Sequence, residues 1–351
     1  MANEIKFGVS APMPGADVGG IIEFSVKADQ LGFDTIWYPD HLVFVAPGAI
    51  APEAWTIASA AAMKTENIQL GTVSDPHRIH PAVFAQRLAS VDQLSKGRTV
   101  LALGVGESMN LDAFGIEWNK PLGKLKESIE VMNMLWDTDE PINFDGQFYK
   151  LENAFLQIKP YKRTKIPFYI ATHTPKGLQL TGERGDGWLP IDLNPDLYSR
   201  YYGDIKSAAE SAGRSLDGFD PALWVFTSLG KNEDEAYKTL EPFKYVLVMQ
   251  DQLLKAGYDV DIPEEYHGLN YFNIVPTDEE GRQRFRQLGQ LFPREAILDF
   301  TITGSKQDCI KKIESFIDSG VRNFVLFYRF SPDPEHCLQT YAKEIIPYFK
   351  G

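Results

Sequence analysis

Short apolar runs alternate with longer amphipathic stretches along most of the chain. Residues 5–10 are mostly apolar, residues 20–31 place apolar side chains three or four positions apart, and residues 34–38 end in the apolar run Ile36-Trp37-Tyr38. Such runs are typical of buried strands and such spacing is typical of helices, so the pattern predicts repeated βα units. The predicted strands are 5–10, 34–38, 68–72, 99–103, 167–171, 187–190, 223–228 and 323–328, and the predicted helices are 20–31, 52–64, 81–94, 175–183, 196–212, 233–247 and 307–319, with a last helix beginning at Pro334.

Eight strands joined by helices predict an α/β fold, whose parallel sheet either stays open or closes into a barrel. The first strand is not followed by the Gly-x-Gly-x-x-Gly pattern of dinucleotide-binding open sheets. We therefore expect a (β/α)8 TIM barrel that takes up the chain as one domain, 1–351. Gly320, just after the helix 307–319, suits a left-handed cap.

Two stretches interrupt the alternation. Residues 143–160 predict an inserted β-hairpin, with Asp145-Gly146 as its turn. Residues 250–294 mix aromatic side chains, prolines and charges, with helical periodicity near 282–291. An insertion of this length is typical of a lid or a binding element.

Composition narrows the classes of partner. Hydrophobic residues make up 44% and charged residues 24%, as in ordinary globular chains, and the net charge is −13. Such a surface repels nucleic acid and anionic membranes, so neither is expected as a partner. There is no secretion signal and no apolar run that could cross a bilayer, which predicts a cytoplasmic protein. Cys309 and Cys337 are too few for a disulfide framework and are expected to be reduced thiols.

The candidate chemistry follows from the barrel, because active sites of such folds lie at the carboxyl ends of the strands. Asp40 and His41 follow the second strand, and histidine titrates near neutrality and suits proton transfer. Glu107 follows the fourth strand after Gly104-Val-Gly106, where glycines allow a ligand to approach the backbone. Structural alternatives are a histidine paired to Asp40 or capping the next helix, a helix-start glutamate, and Asn110 as a local cap.

Two further segments carry weaker signals. His77 and His80 stand three positions apart in a loop, but no third ligand is evident, so we expect no metal. Residues 171–175, Ala-Thr-His-Thr-Pro, precede a predicted helix whose N-terminus attracts phosphate. Simple capping of that helix by Thr174 explains the same residues.

In their order along the chain, several motifs resemble the bacterial-luciferase-like superfamily of flavin and deazaflavin oxidoreductases, in particular its branch that uses the 5-deazaflavin coenzyme F420. The similarity covers nearly the whole chain. The motifs are Asp40-His41, residues 70–76 (LGTVSDP) followed by 80–86 (HPAVFAQ), 104–110 (GVGESMN), 144–149 (FDGQFY), 166–171 (IPFYIA) and 185–188 (GDGW).

The resemblance implies roles for individual residues. His41 would exchange a proton with a substrate hydroxyl or carbonyl, and Glu107 would serve the deazaflavin ring nitrogen as the hydride moves. A non-prolyl cis peptide would lie at Thr72–Val73, or at Val73–Ser74. The family relatives are homodimers, so a homodimer is expected. The implied cofactor-binding residues are Asp40, Thr72, Val73, Ser74, Gly106, Asn110, Ala171, Thr172, His173, Thr174 and Ile191.

Departures from the family pattern bear on the substrate. Asp192 and Asp299 stand where the sugar-phosphate dehydrogenases of the branch carry basic residues, which disfavours glucose 6-phosphate. A tryptophan of the alcohol dehydrogenases is replaced by Phe44 or Val45, and Ser10 stands where the methylene-tetrahydromethanopterin reductases have an acidic residue, although residues 111–121 resemble those reductases.

The sequence therefore predicts an F420-dependent enzyme that transfers a hydride between the deazaflavin and a small alcohol or carbonyl substrate. Three alternatives stay open. These are an F420-dependent methylene-tetrahydromethanopterin reductase, an FMN-dependent monooxygenase, and a non-catalytic flavin-binding barrel.

Overall fold

Strands and helices alternate along the chain in the computed structural model, which describes residues 4–13, 16–45, 49–275 and 277–351. The strands are β1 (Lys6–Ser10), β2 (Thr35–Pro39), β3 (Gln69–Ser74), β4 (Thr99–Leu103), β5 (Ile142–Asp145), β6 (Lys150–Ala154), β7 (Phe168–Ile170), β8 (Gly187–Trp188), β9 (Asp220–Leu229), β10 (Ile302–Gly304) and β11 (Asn323–Phe327). The α-helices are α1 (Val18–Gln30), α2 (Ala54–Ala62), α3 (Pro81–Ser95), α4 (Pro121–Asp137), α5 (Pro175–Arg184), α6 (Pro195–Ser211), α7 (Glu233–Leu240), α8 (Lys244–Leu247), α9 (Gln250–Lys255), α10 (Glu279–Gln290), α11 (Arg294–Phe300), α12 (Lys306–Ser319), α13 (Pro334–Thr340) and α14 (Ile346–Lys350). Short helical turns lie at Ser108–Asn110, Asp112–Phe114, Glu241–Phe243, Glu264–Tyr266, Tyr271–Asn273 and Tyr341–Ile345.

Eight parallel strands close into a barrel. Their order is β1, β2, β3, β4, β7, β8, β9 and β11, and β11 pairs with β1 to complete the circle. The predicted (β/α)8 barrel is confirmed, and each of its eight predicted strands is present. Because every barrel strand is buried on both faces, the strands read as the continuous apolar runs that the sequence displays.

The inside of the barrel is filled by a compact group of side chains that alternates large residues with glycine. A Cβ at Gly71 would stand 2.5 Å from the ring of Trp37, and one at Gly187 would stand 1.6 Å from the ring of Tyr169. Both glycines are therefore required by close approach. The interior group consists of Trp37, Val100, Ala102, Tyr169, Leu189, Ala222 and Val325, with Val73 and Trp224 at its edge.

Strand β10 and helix α4 are among the elements of the structure that the predicted pattern lacks. Strand β10 is three residues long and pairs with the last residues of β9. Helix α4 has no counterpart among the predicted elements, although its buried residues Leu125, Ile129, Met132 and Trp136 recur three or four positions apart. The signal for α4 was thus present in the sequence, whereas β10 is too short to give one.

The two ends of α12 have the capping residues that helices prefer, whereas one predicted helix is broken in the structure. Gly320 ends α12 at φ 114°, as predicted, and Ser305 and Asp308 form a capping box at its start. The predicted helix 233–247 is wrong as a single element, because it breaks at Glu241–Phe243 around Pro242. Proline lacks the N–H that a continuous helix needs.

The inserted hairpin is confirmed, but its turn is longer than predicted. Strands β5 and β6 pair with Asp145 opposite Lys150, so the turn comprises residues 146–149 instead of Asp145-Gly146. The carboxylate of Glu127 in α4 accepts the N–H groups of Gln147, Phe148 and Tyr149 at 2.7, 2.8 and 3.1 Å. This acceptor satisfies the open turn and ties the hairpin to the barrel.

The insertion 250–294 has secondary structure of its own. It contains α9, two single helical turns and α10, and the last of these covers the predicted periodicity near 282–291. Within the described ranges, no helix is both long and apolar enough to pass through a membrane.

Candidate active site

The polar residues that the sequence singles out lie at one end of the barrel. Asp40 and His41 follow β2, and Glu107 follows β4. Residues 171–174 follow β7, and Ile191 follows β8. Since parallel barrel strands all end on the same rim, these residues surround one opening, which we call the barrel mouth.

Asn110 is the centre of a hydrogen-bonded cluster at the barrel mouth. Its buried side-chain oxygen accepts the backbone N–H groups of Leu42 and Val43 at 2.7 and 3.0 Å, which fixes the orientation of the amide. The Nδ2 atom then faces Glu107 Oε2 at 2.9 Å and His41 Nδ1 at 3.2 Å. The Asn110 side chain thus joins the loop after β2 to the loop after β4 and does not merely cap its own turn.

The imidazole of His41 stands beside the Glu107 carboxylate with part of its surface open. Nδ1 is 3.6 Å from Glu107 Oε2, and the two side chains keep 19% and 20% of their surface exposed. Nδ1 also lies 3.3 Å from the carbonyl oxygen of Val43, and the ring stacks on Phe44. Within the described residues His41 Nε2 makes no hydrogen bond, so it is the nitrogen left for a ligand.

Asp40 pairs with an arginine that none of the sequence motifs identified. Arg78 reaches the Asp40 carboxylate at 3.1 Å and its carbonyl oxygen at 2.5 Å, and its Nε donates to Asp75 at 2.7 Å. Burial raises the pKa of the Asp40 carboxyl, and the Arg78 charge opposes that rise. The alternative of a His41–Asp40 pair is wrong, because the guanidinium engages the carboxylate. One arginine in a loop has no spacing signal that would have revealed it.

The end of β3 is regular. Its pairing with β4 continues without a register shift as far as Ser74, and the described residues contain no cis peptide bond. The predicted cis bond at Thr72–Val73, or at Val73–Ser74, is therefore wrong, since an unbroken ladder leaves no bulge there. The Thr72 and Ser74 hydroxyls are buried and lie 3.3 Å apart, whereas Val73 borders the interior group.

The loop after β4 depends on one glycine. Gly106 has φ 83°, and a Cβ there would stand 3.0 Å from Leu111 and 3.1 Å from His77. His77 Nε2 contacts the Val105 carbonyl oxygen at 3.1 Å, and burial lowers the pKa of this imidazole. The loop that carries Glu107 is thus shaped by a left-handed residue and a half-buried histidine.

His80 has a structural partner of its own. It accepts the N–H of Ala82 at 3.2 Å and so caps the start of α3. Over the ranges that the structure covers, no three metal-ligating side chains come together.

The segment after β7 presents hydroxyl groups at the start of α5. Thr174 accepts the Gly177 N–H at 3.2 Å as the N-cap, and the hydroxyls of Thr172 and Thr174 lie 3.3 Å apart. A Cβ at Gly177 would stand 2.0 Å from the Thr172 hydroxyl, so the first turn closes tightly on that residue. The predicted cap is confirmed, and a helix N-terminus with hydroxyl groups beside it is also a place where an anion binds.

His173 joins the ends of β7 and β8. Its Nε2 lies 2.5 Å from the Ile191 carbonyl oxygen and 3.3 Å from the Ile191 N–H. Burial lowers the pKa of His173 to about 4, so this imidazole is neutral at neutral pH. Its described contacts fix the backbone near Ala171 and Ile191 and bring no positive charge.

Two residues absent from the predicted site also lie near the barrel mouth. Asp192 follows Ile191 and is 3% exposed, and neither carboxylate oxygen has a hydrogen-bond partner among the described residues. Tyr271 comes from the insertion, whose Phe272 carbonyl oxygen accepts the Ser108 hydroxyl at 3.2 Å. Burial raises the pKa of Tyr271, and the charges of Asp192 and Glu107 raise it further. The sequence marked Asp192 only as a departure from a family pattern, and nothing in it marked Tyr271.

The chain belongs to the luciferase-like monooxygenase family, whose model matches residues 5–323. It is similar to the 5,10-methylenetetrahydromethanopterin reductase of Archaeoglobus fulgidus, at 30% identity over 94% of this chain and 96% of that protein. Among solved structures it is similar to an F420-dependent secondary alcohol dehydrogenase in complex with an F420-acetone adduct, at 25% identity and a TM-score of 0.83 over 99% of this chain and all of the other. It is also similar to the coenzyme F420-dependent tetrahydromethanopterin reductase from Methanopyrus kandleri, at 26% identity and a TM-score of 0.81 with the same coverage. The family resemblance expected from the motifs is confirmed.

Proposed function

We propose that this protein is a coenzyme F420-dependent oxidoreductase that transfers a hydride between the deazaflavin and an alcohol or carbonyl substrate. The observation that carries the proposal is the cluster at the barrel mouth, where Asn110 contacts both His41 and Glu107. The two similar structures are both named as F420-dependent enzymes, which supports the cofactor.

The residues at the barrel mouth fit a flat ring with an anionic tail. A Cβ at Gly104 would have no neighbour closer than 3.8 Å, so a ring has room to approach the backbone there. The hydroxyls of Thr172 and Thr174 and the N-terminus of α5 are suited to a phosphate, although the protein as a whole carries a charge of −13. When bound, the deazaflavin supplies the hydride chemistry, and the protein supplies orientation and proton transfer.

His41 holds and moves the proton at Nε2. Its Nδ1 lies near both a donor, the Asn110 amide, and an acceptor, the Val43 carbonyl oxygen. With Nδ1 accepting, Nε2 carries hydrogen and donates to a carbonyl oxygen; with Nδ1 donating, Nε2 accepts the proton of an alcohol. The two partners of Nδ1 thus allow His41 to donate a proton in one direction of the reaction and to accept a proton in the other.

Glu107, in the same cluster, is the residue that acts on the cofactor. Its carboxylate is held by Asn110 at 2.9 Å and stays partly exposed. A carboxyl group at this position holds or releases a proton at the ring nitrogen while His41 acts on the substrate. The remaining cofactor contacts in the proposal are Asp40, Val73, Gly106, His173 and Ile191, with Thr72, Ser74 and Ala171 contributing through the backbone.

Reduction of a pterin-bound one-carbon unit is the second candidate. The similarity to the Archaeoglobus fulgidus reductase, at 30% identity, favours it. It predicts that the protein oxidises reduced F420 with methylene-tetrahydromethanopterin and leaves simple alcohols untouched. The homodimer and the cytoplasmic location expected from the sequence belong to the same proposal, and sedimentation and cell fractionation test them.

Parallel titration of the purified protein with F420 and with FMN tests the proposal. We expect saturable binding of F420, seen as quenching of its fluorescence, followed by reduction of the bound cofactor when a secondary alcohol is added. Tight binding of FMN with no affinity for F420 would overturn the proposal and favour a monooxygenase.

A further inference from the structure

Asp192 combines three features that each cost the folded protein free energy. Its backbone has φ 57°, a conformation that side chains other than glycine rarely adopt. Its side chain is 3% exposed, and both carboxylate oxygens are buried with no hydrogen-bond partner among the described residues. Buried polar groups are normally paired, and strained backbone at such a place is typical of ligand-binding sites.

The surroundings of Asp192 are electronegative. The charge of Asp251 in α9 acts on Asp192, and the charges of Asp192 and Glu107 both act on Tyr271 from the insertion. Lys255 does not neutralise Asp192, because its ammonium pairs with the Asp251 carboxylate at 3.0 Å. No lysine, arginine or histidine of the described chain pairs with Asp192, so its missing partner is to be supplied from outside the protein.

This environment selects the kind of partner. Burial and the nearby Asp251 charge raise the pKa of the Asp192 carboxyl well above its usual range, which favours the protonated form while the group has no ligand. A phosphate or carboxylate would be repelled by the surrounding acids, and a hydroxyl would bring no charge to balance an ionised carboxylate. A basic nitrogen group brings positive charge and N–H donors for both oxygens.

We propose that Asp192 binds a positively charged nitrogen group of the substrate, an ammonium or an amidinium, and loses its proton to solvent as that group binds. The inference rests on the proposed function, because it takes the substrate of the same barrel mouth and names the group that lies away from the reacting carbon. It explains why an acidic residue stands on the rim after β8, and it excludes substrates that carry a phosphate at this place.

Calorimetric titration of the protein tests this assignment, performed with and without bound F420 and in two buffers of different ionisation enthalpy. The first probes are an aminopentanol, a pentanediol and a hydroxypentanoate that share one secondary hydroxyl. The corresponding hydroxy-amidine, whose amidinium group is positively charged and presents two N–H donors, is the second kind of probe. The difference in heat between the two buffers counts the protons released per bound probe.

We expect the aminopentanol or the amidine to bind at least about tenfold more tightly than the pentanediol, with the hydroxypentanoate weakest and about one proton released per bound nitrogen probe. Asp192→Asn, which keeps the shape and tolerates the left-handed backbone, should abolish both the proton release and the preference. Asp145→Asn, at an exposed carboxylate of the inserted hairpin that is already paired with Lys150, is the matched control and should keep both.

The outcomes separate the two proposals. Whichever nitrogen probe shows proton release that depends on Asp192 identifies the source of the group. Release from neither probe, or a preference that survives in Asp192→Asn, overturns the assignment. Failure to bind F420 would instead overturn the proposed function, and the titrations without cofactor would still decide the role of Asp192.

Discussion

At the residue scale, the catalytic pair is organised by a neutral amide. Asn110 uses its oxygen on the loop after β2 and its nitrogen on both His41 and Glu107. Asn110→Ala removes all of these contacts, and we expect kcat to fall by about 10²-fold because His41 and Glu107 both lose the contact that positions them. Steady-state kinetics with a secondary alcohol measure the effect.

A carboxylate at the same position is the matched variant. Asn110→Asp keeps acceptors for the two backbone N–H groups but has no N–H donor for Glu107 and His41, so kcat should fall about as far as in Asn110→Ala. A wild-type kcat in both variants would show that the amide does not position the pair.

The buried Asp192 carboxyl should lower the free energy of unfolding at neutral pH. Because burial raises its pKa above the ordinary value of 3.8, the folded protein holds the carboxyl proton more tightly than the unfolded chain does. The stabilising contribution is complete at lower pH and is lost as the pH rises from the ordinary value through the raised pKa. Asp192→Asn removes this titration, and we expect it to raise the free energy of unfolding by about 1 kcal/mol near neutrality.

Urea unfolding at a series of pH values measures the difference between wild type and Asp192→Asn. The gap should widen as the pH increases above the ordinary value of the carboxyl. A variant that is less stable than the wild type at every pH would contradict the electrostatic account.

Some residues of the site can be predicted from the sequence, whereas their long-range contacts cannot. His41 and Glu107 could be identified because each follows a recognisable strand. The contacts of Arg78 with Asp40 and of Phe272 with Ser108 join segments far apart in the chain, so no local spacing reveals them. The isolation of Asp192 is likewise visible only when all neighbouring elements are in place.

At the element scale, the loop after β4 is the part least tolerant of change. Gly106→Ala forces a side chain onto a backbone at φ 83° and against Leu111 and His77. We expect a loss of about 1–3 kcal/mol of stability and a weaker activity, because the same loop carries Glu107. Thermal unfolding measures the loss.

Gly104→Ala is the control for that loop. It lies two residues earlier at an ordinary φ, with no neighbour closer than 3.8 Å to the added carbon. Its thermal unfolding should match the wild type, and equal destabilisation by the two substitutions would rule out the conformational explanation.

The start of α5 is the second element with a defined test. Thr174→Ala removes the N-cap and a hydroxyl beside the expected phosphate, so it should cost about 1 kcal/mol of stability and also weaken F420 binding. Asn232→Ala removes the N-cap of α7, where Asn232 accepts the Glu235 N–H at 2.9 Å, and should cost similar stability with no change in the F420 dissociation constant. If both variants bind F420 as the wild type does, the cofactor phosphate does not lie at α5.

Elements differ in how well the sequence predicts them. Barrel strands are buried on both faces and give unbroken apolar runs, which is why β4 is predicted at its observed bounds. The hairpin turn is set by Glu127 in another element, and the break between α7 and α8 is set by Pro242, which the apolar periodicity of that stretch obscures.

At the scale of the whole molecule, the barrel explains why residues far apart in sequence share one site. Closure of the eight strands places the ends of β2, β4, β7 and β8 on one rim, and the insertion brings Tyr271 to the same rim. The fold and the family could be predicted from the sequence, whereas the partner of each charged group at the barrel mouth could not.

A single-turnover measurement of hydride transfer tests the central claim most directly. The protein is loaded with F420, mixed rapidly with a secondary alcohol, and the loss of the deazaflavin absorbance is followed for wild type, His41→Ala and Glu107→Gln. We predict rapid reduction by the wild type and a decrease of about 10²-fold or more in each variant, with F420 still bound in His41→Ala. Reduction at the wild-type rate in His41→Ala, with the cofactor bound, would contradict the account.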